Sequence, residues 1–221
     1  MASAFCSHAY VPLDPNSLLK LHSRNSGFFA SPKNRGKSCL HALIILGAPA
    51  IVGAMTSHEM FAMMPQALGN RIMEEMAAED KAFYRGVLDG VAQARKVRVV
   101  YLERQPRTDR HALVVTTLAR PSLEPAAANL LRTWFLKKQN QLLVDFLDAL
   151  GIQHEKGIVE DLPEKVDDAK VKSAVEALLA KHPADVVALY LHSFLHLNDV
   201  HWHNLEEMLF EDARLELKKH P

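Results

Sequence analysis

Two cysteines, Cys6 and Cys39, are all that 221 residues contain. They are too few for a disulfide framework, and neither has the spacing or company of a zinc site, which is compatible with a reducing compartment. Glycine is scarce where catalysis would need it. After Met76 only Gly86, Gly90, Gly151 and Gly157 occur, so no glycine cluster exists there to cradle a phosphate or a dinucleotide between a strand and a helix. Neither Gly-x-Ser-x-Gly nor His-Glu-x-x-His is present, which removes the local signatures of the common serine and zinc hydrolases. No cofactor is implied, and the missing motifs weigh against an enzyme without closing that class. Charge of one sign is not in excess either: 26 basic residues balance 26 acidic ones. No global field therefore draws the chain to nucleic acid or membrane, and any such partner needs a local patch. The longest mostly apolar run, Leu40 to Met55, contains His41 and Pro49. It is short and broken beside the ~20 residues that a spanning helix needs.

What is present is ordinary globular composition, 48% hydrophobic and 24% charged, with a length that suits one domain plus an appendage or two small domains. The character of the chain changes near Met76. Residues 1–75 hold both cysteines, six of the eight methionines and only 10 charged residues, with no sustained period. They are expected to form a weakly structured extension. Up to His58 the only acid is Asp14, among basic residues and many serines, as in an organelle transit peptide. Three readings stand open for this segment: a mis-called upstream start, a targeting segment or a membrane anchor. The first leaves a soluble, cytoplasmic protein; the others place it in an organelle or tether it to a membrane.

Residues 76–221 read as an all-α domain, a compact bundle of about five or six helices. Apolar residues recur near the 3.6 period. A first helix is expected over Ala78 to Lys96, with Phe83, Val87, Leu88 and Val91 on one face and a close helix crossing at Gly86 and Gly90. A second covers Asp109 to Ala119 with Thr108 as its N-cap. The third, Pro125 to Leu150, would be the spine, closed by a left-handed cap at Gly151 with Ile152 folding back on Leu147. A loop at 153–164 precedes helices at Asp167 to Lys181, Ala184 to Leu197 and Asn204 to Leu215. The cap of the first of these is Asp167 or Asp168, and Asn204 with Glu207 resembles a capping box.

Two groups of residues are candidates for function. On one continuous helix, His192, His196, Asp199 and His203 would share a face with Glu207, a metal-competent set of imidazoles and carboxylates. The apolar residues opposite make that face a solvated polar stripe as the plainer expectation, and a helix break at Asn198 would scatter the set. His201, on the apolar side, is expected to be buried. The second group is basic. Ten basic residues against three acids lie between Arg95 and Lys138, while sixteen acids against six basic residues lie between Asp145 and Glu216. These halves could face each other in surface ion pairs. Alternatively Arg95, Lys96, Arg98, Arg104, Arg107, Arg110, Lys137 and Lys138 form a contact surface for an acidic protein or for nucleic acid. The leading expectation is a small non-catalytic helical binding or adaptor protein using this basic surface. The alternatives are a metal-dependent enzyme using the His/Asp cluster and a nucleic-acid-binding helical protein.

Overall fold

A computed structural model describes residues 55–218. Among these the chain is helical, with no strand: α1 (Ser57–Met63), α2 (Gln66–Glu79), α3 (Lys81–Ala94), α4 (Val99–Glu103), α5 (Arg107–Leu118), α6 (Glu124–Lys138), α7 (Asn140–Leu150), α8 (Asp168–Lys181), α9 (Ala184–Leu197) and α10 (His203–Glu211). Nine of these have seven or more residues, more than the five or six expected. None is long and apolar enough to cross a membrane.

The extra helices arise from two corrections. The boundary expected at Met76 falls inside α2, and the residues before it belong to the core. Met60, Phe61, Met64, Leu68, Ile72 and Met73 are all essentially inaccessible. The methionine richness of this stretch is core filler, for which an unbranched, polarisable side chain is suited. What was expected of residues 1–54 lies outside the described residues. The expected 26-residue spine is also two helices. At Gln139 the backbone turns to φ −117° and ψ 24°, within the polar run Lys137 to Gln141, none of which is buried. No core contact holds a helix straight through that run. Asn140 Nδ2 instead donates to the Lys156 carbonyl at 2.7 Å, which ties the start of α7 to the following loop.

The local punctuation follows side-chain chemistry. Asp80, whose carboxylate accepts from the Phe83 amide, separates α2 from α3. Pro65, Pro106 and Pro183 precede α2, α5 and α9, where a fixed φ and a missing N–H cost nothing; Thr108 lies inside α5 rather than capping it. Asp167 caps α8 as expected. Gly151 takes φ 72°, and the Ile152 amide reaches back to the Leu147 carbonyl at 3.0 Å, the expected left-handed termination. Asn204 makes no capping box. Its Nδ2 donates to the Val166 carbonyl and to Asp168 Oδ1, and α10 stops at Glu211 before a 3-10 turn at Ala213–Leu215.

The true spine is α9. Nine of its residues between Val186 and Leu195 are buried, as befits a helix apolar on all sides. An aromatic chain runs along it: Trp134 to Phe135, Phe135 to Tyr190, Tyr190 to Phe146, Phe146 to Phe194 and Phe194 to Trp202, with ring centroids 4.9 to 5.5 Å apart. Both indole N–H groups are satisfied, Trp134 by Glu75 at 2.7 Å and Trp202 by the Pro163 carbonyl at 2.9 Å. Close helix approach occurs at Gly69, where a Cβ would stand 2.8 Å from Val115 Cγ2, and not at Gly86 or Gly90, which have open space beside them.

Candidate functional site

The eight basic residues serve different purposes. Lys137 pairs with Asp80 at 2.8 Å and Lys138 with Glu79 at 3.1 Å, so both fasten the end of α6 to the α2–α3 corner. Arg95 donates to Thr117 Oγ1 at 3.0 Å. Arg110 donates to the Tyr84 hydroxyl at 3.1 Å and to the Glu103 carbonyl at 3.0 Å. Four remain, Lys96, Arg98, Arg104 and Arg107. All are exposed, and none forms an ion pair or a side-chain hydrogen bond among the described residues. Nor does any Lys or Arg between 95 and 138 pair with an acid between 145 and 216 among the described residues, so the two charge-biased segments do not neutralise each other.

These four surround α4. Helix α3 ends with Lys96 at φ 56°, and the Val97 amide returns to the Ala92 carbonyl at 2.9 Å. This is a left-handed cap at a position where glycine is usual. The chain then makes only one turn and a half before Arg104. Leu102 is fully buried, whereas Val97, Val100 and Tyr101 are 36, 45 and 54% exposed. The element is thus pinned by Leu102, with partly buried Val99 packed on the core beside it, and offers three other apolar side chains to solvent between four cations that have no partner among the described residues. Its acids are Glu103, which meets Arg85 at 3.8 Å, and Asp109 on the first turn of α5.

Behind α4 lies a polar network that fixes its end. Tyr84 from α3 accepts from Arg110, and its hydroxyl lies 3.1 Å from His111 Nε2. Burial pushes the His111 pKa down, with neighbouring Arg110 adding to the effect, and burial pushes Tyr84 up despite Arg110. A neutral imidazole and a neutral phenol are therefore held beneath the cationic edge. Arg110 bridges this pair to the Glu103 carbonyl, the last of α4. It positions the shelf rather than contributing a free charge to it.

The four metal candidates are not brought together. Helix α9 ends at Leu197, Asn198 is its C-cap, and Asp199 follows at φ 53°, 98% exposed in its side chain. His203, on α10, meets Glu207 at 3.1 Å. His192 packs near the 3-10 turn, where burial lowers its pKa to about 4 against a hydrogen bond with the Leu215 backbone. The polar-stripe expectation fails for His192 and His196, both partly buried, and His201 is exposed at 78% rather than buried. No group of three or more His, Cys, Asp or Glu among the described residues is placed to hold a metal ion.

His196 instead joins a cluster that the sequence did not suggest. Glu124 Oε1 accepts from His196 Nε2 at 2.7 Å and from the Ser57 amide at 3.0 Å. Its Oε2 accepts from the His58 amide and from His58 Nδ1, both at 2.7 Å. Burial opposes the charge on Glu124, but these donors outweigh it and hold its pKa at about 2. The carboxylate ties α1, α6 and α9 together. Ser57, beside it, is fully buried, so its hydroxyl is not a nucleophile that a substrate can meet. The arrangement is a clamp. Neither the curated proteins, the protein-family models nor the solved structures contain a match to this chain.

Proposed function

We propose that this protein is a non-catalytic helical binding module whose α4 shelf takes an acidic, amphipathic segment of a partner protein. The observation that carries this reading is the alternation on α4 and its flanks of four cations, unpaired among the described residues, with Val97, Val100 and Tyr101 in the open. Surface cations on a folded protein are cheap when solvated, and so are single exposed apolar residues. Their interleaving over twelve residues favours a ligand with carboxylates and apolar side chains in the same short stretch. Charge complementarity would steer the encounter, and the aromatic and aliphatic groups would supply the desolvated centre of the contact. The low cysteine content is consistent with action in a reducing compartment such as the cytoplasm.

The test uses a defined probe, a fluorescent peptide alternating Glu with Leu and Phe, beside a peptide of equal charge with Ser in place of the apolar residues. The amphipathic peptide is expected to bind saturably, with weakening as salt rises. Reversing Arg98, Arg104 and Arg107 to Glu should cost at least about tenfold in affinity, the equivalent of ~1.4 kcal/mol. Arg110 is left intact because it braces Glu103 and Tyr84. Unchanged affinity in the triple variant would reject the shelf. Tighter capture of a single-stranded oligonucleotide than of the peptide would instead favour base stacking on Tyr101 and a nucleic-acid partner.

A further inference from the structure

A cavity of about 270 Å³ lies between α6, α7, α9 and the loop after Gly151. Its walls are apolar, chiefly Phe135, Leu143, Leu147, Val159 and Phe194. At the ~30 Å³ that one liquid water occupies, it has room for about nine non-hydrogen atoms, enough for an eight-carbon chain whose carboxylate sits at the mouth. Three features set it apart from a packing fault.

The first is its loop wall, which is built rather than draped. Gly157 takes φ 85°, and a Cβ there would sit 3.0 Å from Leu143 Cβ, so only glycine lets the loop lie this close to α7. The Asn140 side chain holds the Lys156 carbonyl, the Gly157 amide donates to His154 Nδ1 at 3.1 Å, and Glu155 and Ile158 exchange backbone hydrogen bonds at 2.8 and 3.0 Å. Ile158 is thereby presented at the cavity with 60% of its surface exposed.

The second feature is Tyr190, which lines the cavity from α9 and is only 4% exposed. Its hydroxyl makes no hydrogen bond among the described residues and opens onto the cavity rather than being sealed in the core, where the buried side-chain atoms left without a partner are Ser57 Oγ and His111 Nδ1; a tyrosine hydroxyl so placed is free to take an acceptor. Burial keeps it protonated by raising its pKa, so it remains a donor. The third feature is Arg132, which also lines the cavity, is exposed, and forms no ion pair among the described residues.

From these observations we infer that the cavity is a binding site for a small apolar carboxylic acid, an alkanoate of about eight carbons. Its chain lies along Phe135, Leu143, Leu147 and Phe194, its carboxylate meets Arg132, and the Tyr190 hydroxyl gains an acceptor. A guanidinium is suited to a carboxylate because its planar fork matches the two oxygens, and a site with apolar walls and a few placed polar groups is the usual form of a small-molecule pocket. The inference concerns different residues from the α4 shelf and stands or falls apart from it.

Octanoate is the probe. Trp134 packs on Phe135 and Trp202 on Phe194, so intrinsic fluorescence reports occupancy on the unmodified chain. Octanoate is expected to give a saturable change at millimolar concentration or below, while 1-octanol and octylamine bind at least about tenfold more weakly, since a hydrogen bond to a charged group contributes on that scale. Arg132→Gln, at an exposed position, should bring octanoate down to the level of octanol without moving the melting temperature. Tyr190→Phe keeps the ring and should weaken octanoate severalfold. Leu147→Trp should abolish binding of both by filling the space. A signal that does not saturate, equal affinity for octanoate and octylamine, or full octanoate affinity in Arg132→Gln would each overturn the proposal.

Discussion

His192 illustrates what a single residue contributes once its surroundings are known. Its pKa falls from 6.5 to about 4 because burial disfavours the charged ring. Between those values the unfolded chain takes up a proton that the native protein does not. Stability is therefore complete above pH 6.5 and is lost as pH falls through that window, by up to about 3 kcal/mol at 1.36 kcal/mol per unit. His111 is lowered in the same direction and adds to the loss. Urea titrations at pH 7, 5.5 and 4 should show that His192→Leu flattens this dependence while His111 leaves a residual slope; an unaltered slope would refute the assignment. Glu124 acts in a lower range, its contribution being present above pH 4.5 and lost toward pH 2. Sequence periodicity could place His192 and His196 one turn apart, but it could not say that one faces the Leu215 backbone and the other a carboxylate 72 residues earlier in the chain. Those partners are tertiary, and the only local signal at Glu124 was an acid at a helix start.

At the scale of elements, glycines separate two kinds of crossing. Gly69 lies against Val115, with no room for a Cβ, so Gly69→Ala should destabilise by about 1–3 kcal/mol through forced separation of α2 and α5. Gly86→Ala meets nothing and should stabilise by ~0.5–1 kcal/mol through helix propensity. Chemical denaturation of the two variants checks both, and a matching sign would show the crossing to be misassigned. The Gly86/Gly90 spacing invited the opposite reading because small residues one turn apart resemble a contact seam, although a seam also needs a partner helix on that face. Helices α8 and α9 and the Gly151 cap were legible because Asp167, Pro183 and Gly151 act through their own backbone neighbours. The interruption at Gln139 was not, since its apolar period continues on both sides and the turn depends on Asn140 reaching Lys156.

For the whole molecule, the decisive fact is that the core begins before Met76. Removing Met60, Phe61, Met64, Leu68, Ile72 and Met73 would delete six fully buried core side chains. At ~1.5–3 kcal/mol for each large side chain the loss is about 9–18 kcal/mol, as large as the ~5–15 kcal/mol that holds a typical domain. A chain starting at Met76 should therefore lack a cooperative melt by circular dichroism, whereas one starting at Met55 should keep it; cooperative melting of the shorter chain would restore the boundary at Met76. The helical class was evident from periodicity, but the extent of the domain was not, because few charges and many methionines look alike in a loose extension and in a buried helix.

The position of α9 in the chain has a consequence for biosynthesis. Helices α1 to α6 come from one contiguous stretch, yet α1 and α6 both rest on α9, which the ribosome completes on the order of 60 residues after α6, roughly 3–12 s later at ~5–20 residues per second. For that interval the faces of α1 and α6 that later meet α9 stand uncovered on the nascent polypeptide, and it is then that a chaperone would find them.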